Sequence, residues 1–145
     1  MKKVFYLSLV CFGLTVFISS CAKKGCTNPN ATNFDSSAKS DDGSCTYKGK
    51  IVFWYDQTTS NSLVTGGSTS LTYYVDGAVV GSSAATVYFT GAPTCGQSAS
   101  ITVEKDLGVA TNKSYSYTVK DDTGATLYSG TANFTANTCT AIQLL

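Results

Sequence analysis

From residue 48 onward, apolar residues return at every second position in short runs, and no run repeats them at helical spacing. That period puts alternate side chains on opposite faces of an extended chain. Over residues 50–56, Ile51, Phe53 and Tyr55 share one face, and Val52 and Trp54 take the other. Residues 70–75 and 78–82 flank Asp76-Gly77, a two-residue hairpin signal. Residues 86–90 read as a further strand. In residues 98–105, Ile101 and Val103 oppose Thr102 and Glu104; in residues 113–120, Tyr115, Tyr117 and Val119 oppose Ser114, Ser116 and Thr118. The turn Asp121-Asp122-Thr123-Gly124 leads into residues 125–135, long for a strand, where Gly130 predicts a bulge or bend. Residues 138–144 close the chain. Turns at this spacing predict an all-β fold, an antiparallel β-sandwich of about seven or eight strands.

At the level of pattern, these runs of Val, Ile, Thr, Tyr and Phe resemble an immunoglobulin-like or fibronectin type III-like sandwich. The buried-Trp-plus-disulfide arrangement of antibody domains does not map onto them. Cys95 follows Gly91-Ala92-Pro93-Thr94, which is loop-like sequence rather than a central strand.

The amino-terminal segment has a different texture. Met1-Lys2-Lys3 is positive, residues 4–18 are apolar apart from Ser8 and Thr15, and Ser19-Ser20 are small. These are the three parts of a secretory signal. The apolar run of about 15 residues is short of the roughly 20 that span a bilayer as a helix. Ile18 is too large for the small-residue site of an ordinary signal peptidase. The stretch Ile18-Ser19-Ser20-Cys21 instead resembles the lipobox of bacterial lipoproteins in its relaxed form. That resemblance implies a thioether-linked lipid on Cys21 and an acylated new amino terminus. Several acyl chains, at ~0.8 kcal/mol per buried methylene, hold where one would not. The alternative is a secreted protein with Cys21 as an unpaired thiol. The chain thus divides into a signal (residues 1–20), a lipidated tether and spacer (21–47) and a sandwich domain (48–145). Lys23 and Lys24 either rest on anionic headgroups or stay solvated.

With Cys11 in the signal and Cys21 under lipid, Cys26, Cys45, Cys95 and Cys139 remain. An even number in an exported chain reads as two disulfides with three connectivities. Cys26–Cys45 with Cys95–Cys139 keeps each pair within one compositional segment, and the second bond then ties a loop to the start of the last strand. A metal site of four thiolates is the alternative.

Residues 25–45 are dense in Asn, Asp, Ser and Gly, with no apolar period. Such side chains bond their own backbone in turns, and Phe34 is the one large apolar residue expected to anchor them. A segment like this needs a staple. It resembles a cysteine-bounded repeat, Gly-Cys-Thr-(Asp/Asn)-Pro-x-Ala-x-Asn…Asp-Asp-Gly-Ser-Cys, of extracellular and cell-surface proteins from Bacteroidetes-type bacteria. The resemblance implies an envelope or extracellular role and no defined activity; with the lipid on Cys21, the expected location is the outer membrane, facing either side. Asp35, Asp41 and Asp42, with Asn28, Asn30 and Asn33, offer hard oxygen ligands for a structural calcium ion. Their spacing does not fit an EF-hand, and the competing reading is an Asx-rich loop with water on its oxygens. No other cofactor is expected.

The chain has no His and no Arg, and beyond residue 20 it keeps eight lysines against nine acidic residues. Ser-His-Asp and Cys-His catalysis are therefore excluded. A near-neutral chain without arginine argues against nucleic acid as a partner. Glu104 is the single glutamate, and paired-carboxylate chemistry finds no motif. Trp54, Tyr73, Tyr74, Tyr88 and Tyr128 are candidates for an aromatic ligand platform, or else fill the core; Tyr73 and Tyr74 must point apart. The expectation is a non-catalytic, envelope-anchored lipoprotein whose sandwich is a binding or structural module, with an envelope protein or a glycan as candidate partner. The alternative is a carbohydrate-binding module on the same anchor.

Overall fold

The computed structural model describes residues 22–145. The signal-like segment, Cys11 and the lipidation residue Cys21 lie outside the described residues. Two short strands, β1 (Lys24–Gly25) and β2 (Ser40–Asp41), pair in parallel ahead of the sandwich. Then follow β3 (Tyr47–Trp54), helix α1 (Gln57–Thr65), β4 (Ser70–Val75), β5 (Ala78–Ala84), β6 (Ile101–Gly108), β7 (Asn112–Asp121), β8 (Thr126–Thr135) and β9 (Cys139–Gln143). These seven longer strands make two sheets, in the orders β6-β3-β9 and β5-β4-β7-β8. The fold is an all-β sandwich.

Alternation decides what is buried. Ile51, Phe53, Val103 and Leu107 from the three-stranded sheet meet Leu71, Tyr73, Val75, Val119, Ala132 and Phe134 from the four-stranded one. Fully burying a side chain of this size is worth roughly 1.5–3 kcal/mol. The Phe53 ring packs 5.5 Å from Tyr73 and 5.1 Å from Tyr117, joining the layers near their centre.

One pairing within the sandwich is not antiparallel. β9 lies parallel to β3, from Lys50 beside Cys139 to Trp54 beside Gln143. The cause is where β8 ends. Ala136 bridges to Gly49, and the Asn137 amide donates to the Lys48 carbonyl at 2.8 Å. The chain reverses there, beside the start of β3, so β9 must run the same way as β3.

Helix α1 was not legible as an apolar period. Its sequence is polar, and only Ser60 and Leu63 are buried. Its start is set by the Asp56 carboxylate, which accepts from the Thr59 amide at 2.8 Å. Its seat is set by the Ser60 hydroxyl, which donates to the Ala85 carbonyl at 2.8 Å. Neither device leaves a periodic signal.

Residues 86–90 are loop rather than strand. The Val87 amide closes a turn onto the Ala84 carbonyl, and Phe89 makes a backbone bond to Tyr55. The segment continues to Ser100 against the outer face of the three-stranded sheet. The Gly96 amide donates to Thr102 Oγ1 at 2.8 Å, and Cys95 is bonded to Cys139, the first residue of β9. On that same outer face Val52 is fully buried, although alternation turns it away from the main core.

The Asp76-Gly77 hairpin forms as expected, with φ of 57° and 75°. Gly130 makes no bulge. The register shift of the β7–β8 pair falls between Val119 and Lys120, and Gly130 stays opposite Tyr117.

In the amino-terminal segment Cys26 is bonded to Cys45. Phe34 does not anchor this segment, being 44% exposed. The buried cluster is the cystine itself with Ala31, and Tyr47 packs against it. A cystine can serve as a small apolar core where turn residues supply none.

Candidate functional surfaces

The aromatic candidates do not form one platform. Tyr73 points inward and is 2% exposed, so it is a core residue rather than a ligand contact. Burial pushes its hydroxyl well above the usual tyrosine range, and that hydroxyl lies 3.2 Å from Ser83 Oγ. Tyr74, the next residue, takes the outer face of the four-stranded sheet between Val79 and Thr118. The Lys120 ammonium stands 5.5 Å from its ring centre. Trp54 is half-buried at the end of β3, on the outer side of the other sheet. Tyr88 is exposed in the loop that Phe89 ties to Tyr55. Tyr128 is half-buried against the core. Tyr74 and Trp54 therefore sit on opposite outer faces of the sandwich.

The carboxylates proposed for calcium are not gathered either. Asp35 is salt-bridged to Lys23 at 2.8 Å and accepts from the Ser37 amide at 2.9 Å. The Lys23 ammonium, followed by Ser37, holds its carboxyl far below the usual range. Asp41 accepts from the Gly43 amide at 3.1 Å, and Asp42 from the Ser44 amide at 3.0 Å. Each acid closes its own turn. Among the described residues no three His, Cys, Asp or Glu side chains converge as a metal site.

A charged groove went unread in the sequence. Lys48 and Lys50 sit two residues apart on β3 and so share a face, and Glu104 lies opposite Lys50 on β6. One Glu104 oxygen takes Lys48 at 2.8 Å and the other takes Lys50 at 3.2 Å. The two ammonium groups, Lys48 first, lower the Glu104 carboxyl below its usual value, and Lys48 is raised in turn. Asn137, Thr138 and Cys139 complete a groove of about 370 Å³. The period-2 spacing of the lysines was visible, but the register bringing Glu104 to them was not. A shallower depression of about 560 Å³ runs along α1, lined by Thr58, Asn61, Ser62, Thr65 and Gly66. Its lining is uncharged and offers hydroxyl and amide groups for hydrogen bonds.

Comparison with known proteins adds little. No family model matches the chain, and no solved structure matches it. A stretch of 25 residues is 68% identical to ribulose bisphosphate carboxylase/oxygenase activase 1, chloroplastic, of Larrea tridentata. The match covers 17% of this chain and 5% of the plant protein, so the likeness is to a short segment.

Proposed function

We propose that the chain is a non-catalytic lipoprotein of the bacterial cell envelope. Lipid on Cys21 anchors it in the outer membrane, and its sandwich binds or packs against an envelope protein. The observation that carries this reading is the run ending Ile18-Ser19-Ser20-Cys21, with Cys21 as the odd cysteine of the exported chain. Cys26, Cys45, Cys95 and Cys139 are used by one another, which suits an oxidising compartment. Membrane fractionation of the wild type and of Cys21→Ser tests it. The wild type partitions with membranes and the variant becomes soluble; a variant that stays with membranes refutes the anchor.

A second reading, a carbohydrate-binding module on the same anchor, is favoured by Tyr74. Its ring lies on the outer face of the four-stranded sheet with Thr72, Thr118 and Ser116, a mixture of aromatic surface and hydroxyls that suits a sugar ring. Pull-down on a panel of insoluble polysaccharides, comparing wild type with Tyr74→Ala, tests it. Retention that Tyr74→Ala abolishes supports the reading; no retention on any polysaccharide removes it.

A further inference from the structure

The described residues begin next to the proposed anchor. Lys23 already accepts a backbone bond, from the Lys39 amide at 2.8 Å, and β1 starts at Lys24. Three residues of chain reach at most about 11 Å, so a lipid on Cys21 would lie within that distance of β1. The fastening then continues without a gap. The Asp35 amide donates to the Cys26 carbonyl at 2.9 Å, and the Thr32 amide to the Thr46 carbonyl at 2.8 Å. Cys26 is bonded to Cys45, and the Asn28 side-chain amide donates to the Tyr47 hydroxyl at 2.9 Å. Tyr47 is the first residue of β3.

The sandwich is therefore held by one end. That end carries the start of β3, the turn from β6 to β7 and the turn from β8 to β9, because Tyr47 pairs with Gly108, and Asn112 with Thr135. The opposite end carries α1 and the Asp121–Ala125 turn, which the Asp122 carboxylate ties to the Thr69 amide at 3.0 Å. Charge divides along the same axis. The anchored half holds Lys48, Lys50, Lys105 and Lys113 against Glu104 and Asp106. The far end holds Asp56, Asp121 and Asp122 against Lys120. Asp76 lies part-way along, and Lys23, Lys24 and Lys39 balance Asp35, Asp41 and Asp42 in the cystine segment. At the tip of the β6–β7 turn Val109 is 69% exposed.

We propose that the cystine-closed segment is a rigid pedestal that seats the sandwich upright on an anionic bilayer, with its lysine-rich end toward the phosphate headgroups and α1 pointing away. The proposal rests on lipidation of Cys21. Anionic headgroups attract lysine within a Debye length of the surface and repel carboxylates, so the field of the membrane favours the orientation that the covalent path already imposes. Trp54, Tyr88 and the depression along α1 then face outward, where a partner approaches.

The test uses the full lipidated chain reconstituted into vesicles of phosphatidylethanolamine with a minority of phosphatidylglycerol. A fluorophore is placed at Val109 or at Asn61 through a noncanonical amino acid, and the lipids carry a headgroup nitroxide quencher. The Val109 label should be quenched several-fold more than the Asn61 label, which lies roughly 25 Å away along the strand direction. A Gly-Ser spacer inserted between Ala22 and Lys23 should narrow that contrast, and a contrast unchanged by the spacer overturns the rigid pedestal. Protein that floats with vesicles yet shows equal quenching at both positions overturns the orientation alone. Protein that fails to float overturns the lipid reading and this inference with it.

Discussion

The ring of Tyr117 lies over Gly130 across the β7–β8 pair, so close that a Cβ at position 130 would meet Tyr117 Cε1 at 2.8 Å. The ring also packs against Phe53 in the core, 5.1 Å away, so a shift there disturbs the contact between the two sheets. Glycine is used here for close approach and not for a bend. Gly130→Ala should destabilise the fold by about 1–3 kcal/mol, the usual cost of overpacking. Urea unfolding should show the midpoint falling, and adding Tyr117→Ala should cost less than the two single changes summed.

The Cys95–Cys139 bond closes the longer of the two loops, with a sequence separation of 44. Replacing both cysteines by serine should cost roughly 3–4 kcal/mol in a chain-entropy estimate. The loop over residues 86–100 covers the face where Val52 is buried, so this variant should be cut there by a protease before the sandwich unfolds. Cleavage mapping by mass spectrometry checks the site.

Asp56 is the cap of α1. Asp56→Ala removes the acceptor for the Thr59 amide and should cost about 1 kcal/mol. Asp56→Asn should retain most of that. Comparison of the two by chemical denaturation separates the cap from the charge.

The pH profile should have two limbs. Asp35, Asp42, Asp56, Glu104, Asp121 and Asp122 are all lowered, chiefly by hydrogen bonds from Lys23, Ser44, Thr59, Lys48, Thr123 and Thr69 respectively. A carboxylate lowered in the folded state stabilises above its unfolded pKa of about 4, and that stability fades as pH falls through the folded value. Tyr55, Tyr73 and Tyr128 are raised by burial. Their contribution is complete below the unfolded tyrosine pKa of about 10 and is lost as pH rises above it. With no histidine to titrate between, the denaturation midpoint should be flat from about pH 5 to pH 9 and fall on both sides. Tyr73→Phe should soften the alkaline limb.

Strand content was legible because one face of each strand had to be apolar: Ile51 and Phe53, Leu71 and Tyr73, and Val119 all follow that rule. The Asp76-Gly77 turn and both cystines followed from local chemistry and from composition. What escaped was set by single polar contacts. Helix α1 depends on Asp56 and Ser60, the loop over residues 86–100 on Cys95 and Thr102, and the parallel β9 on where Ala136 meets Gly49. For the surfaces, alternation showed that Tyr73 and Tyr74 point apart. It could not show that Trp54 and Tyr74 fall on opposite sides of the sandwich, or that Glu104 reaches Lys48, because both follow from the pairing of distant strands.

Mass spectrometry of the amino-terminal peptide from membrane-extracted protein is the most direct test of the proposed lipid on Cys21. A lipidated protein yields a peptide that begins at Cys21 and carries a thioether-linked diacylglyceryl group with an acylated amine. A peptide that begins with an unmodified Cys21, or one that still contains residues 1–20, would contradict it.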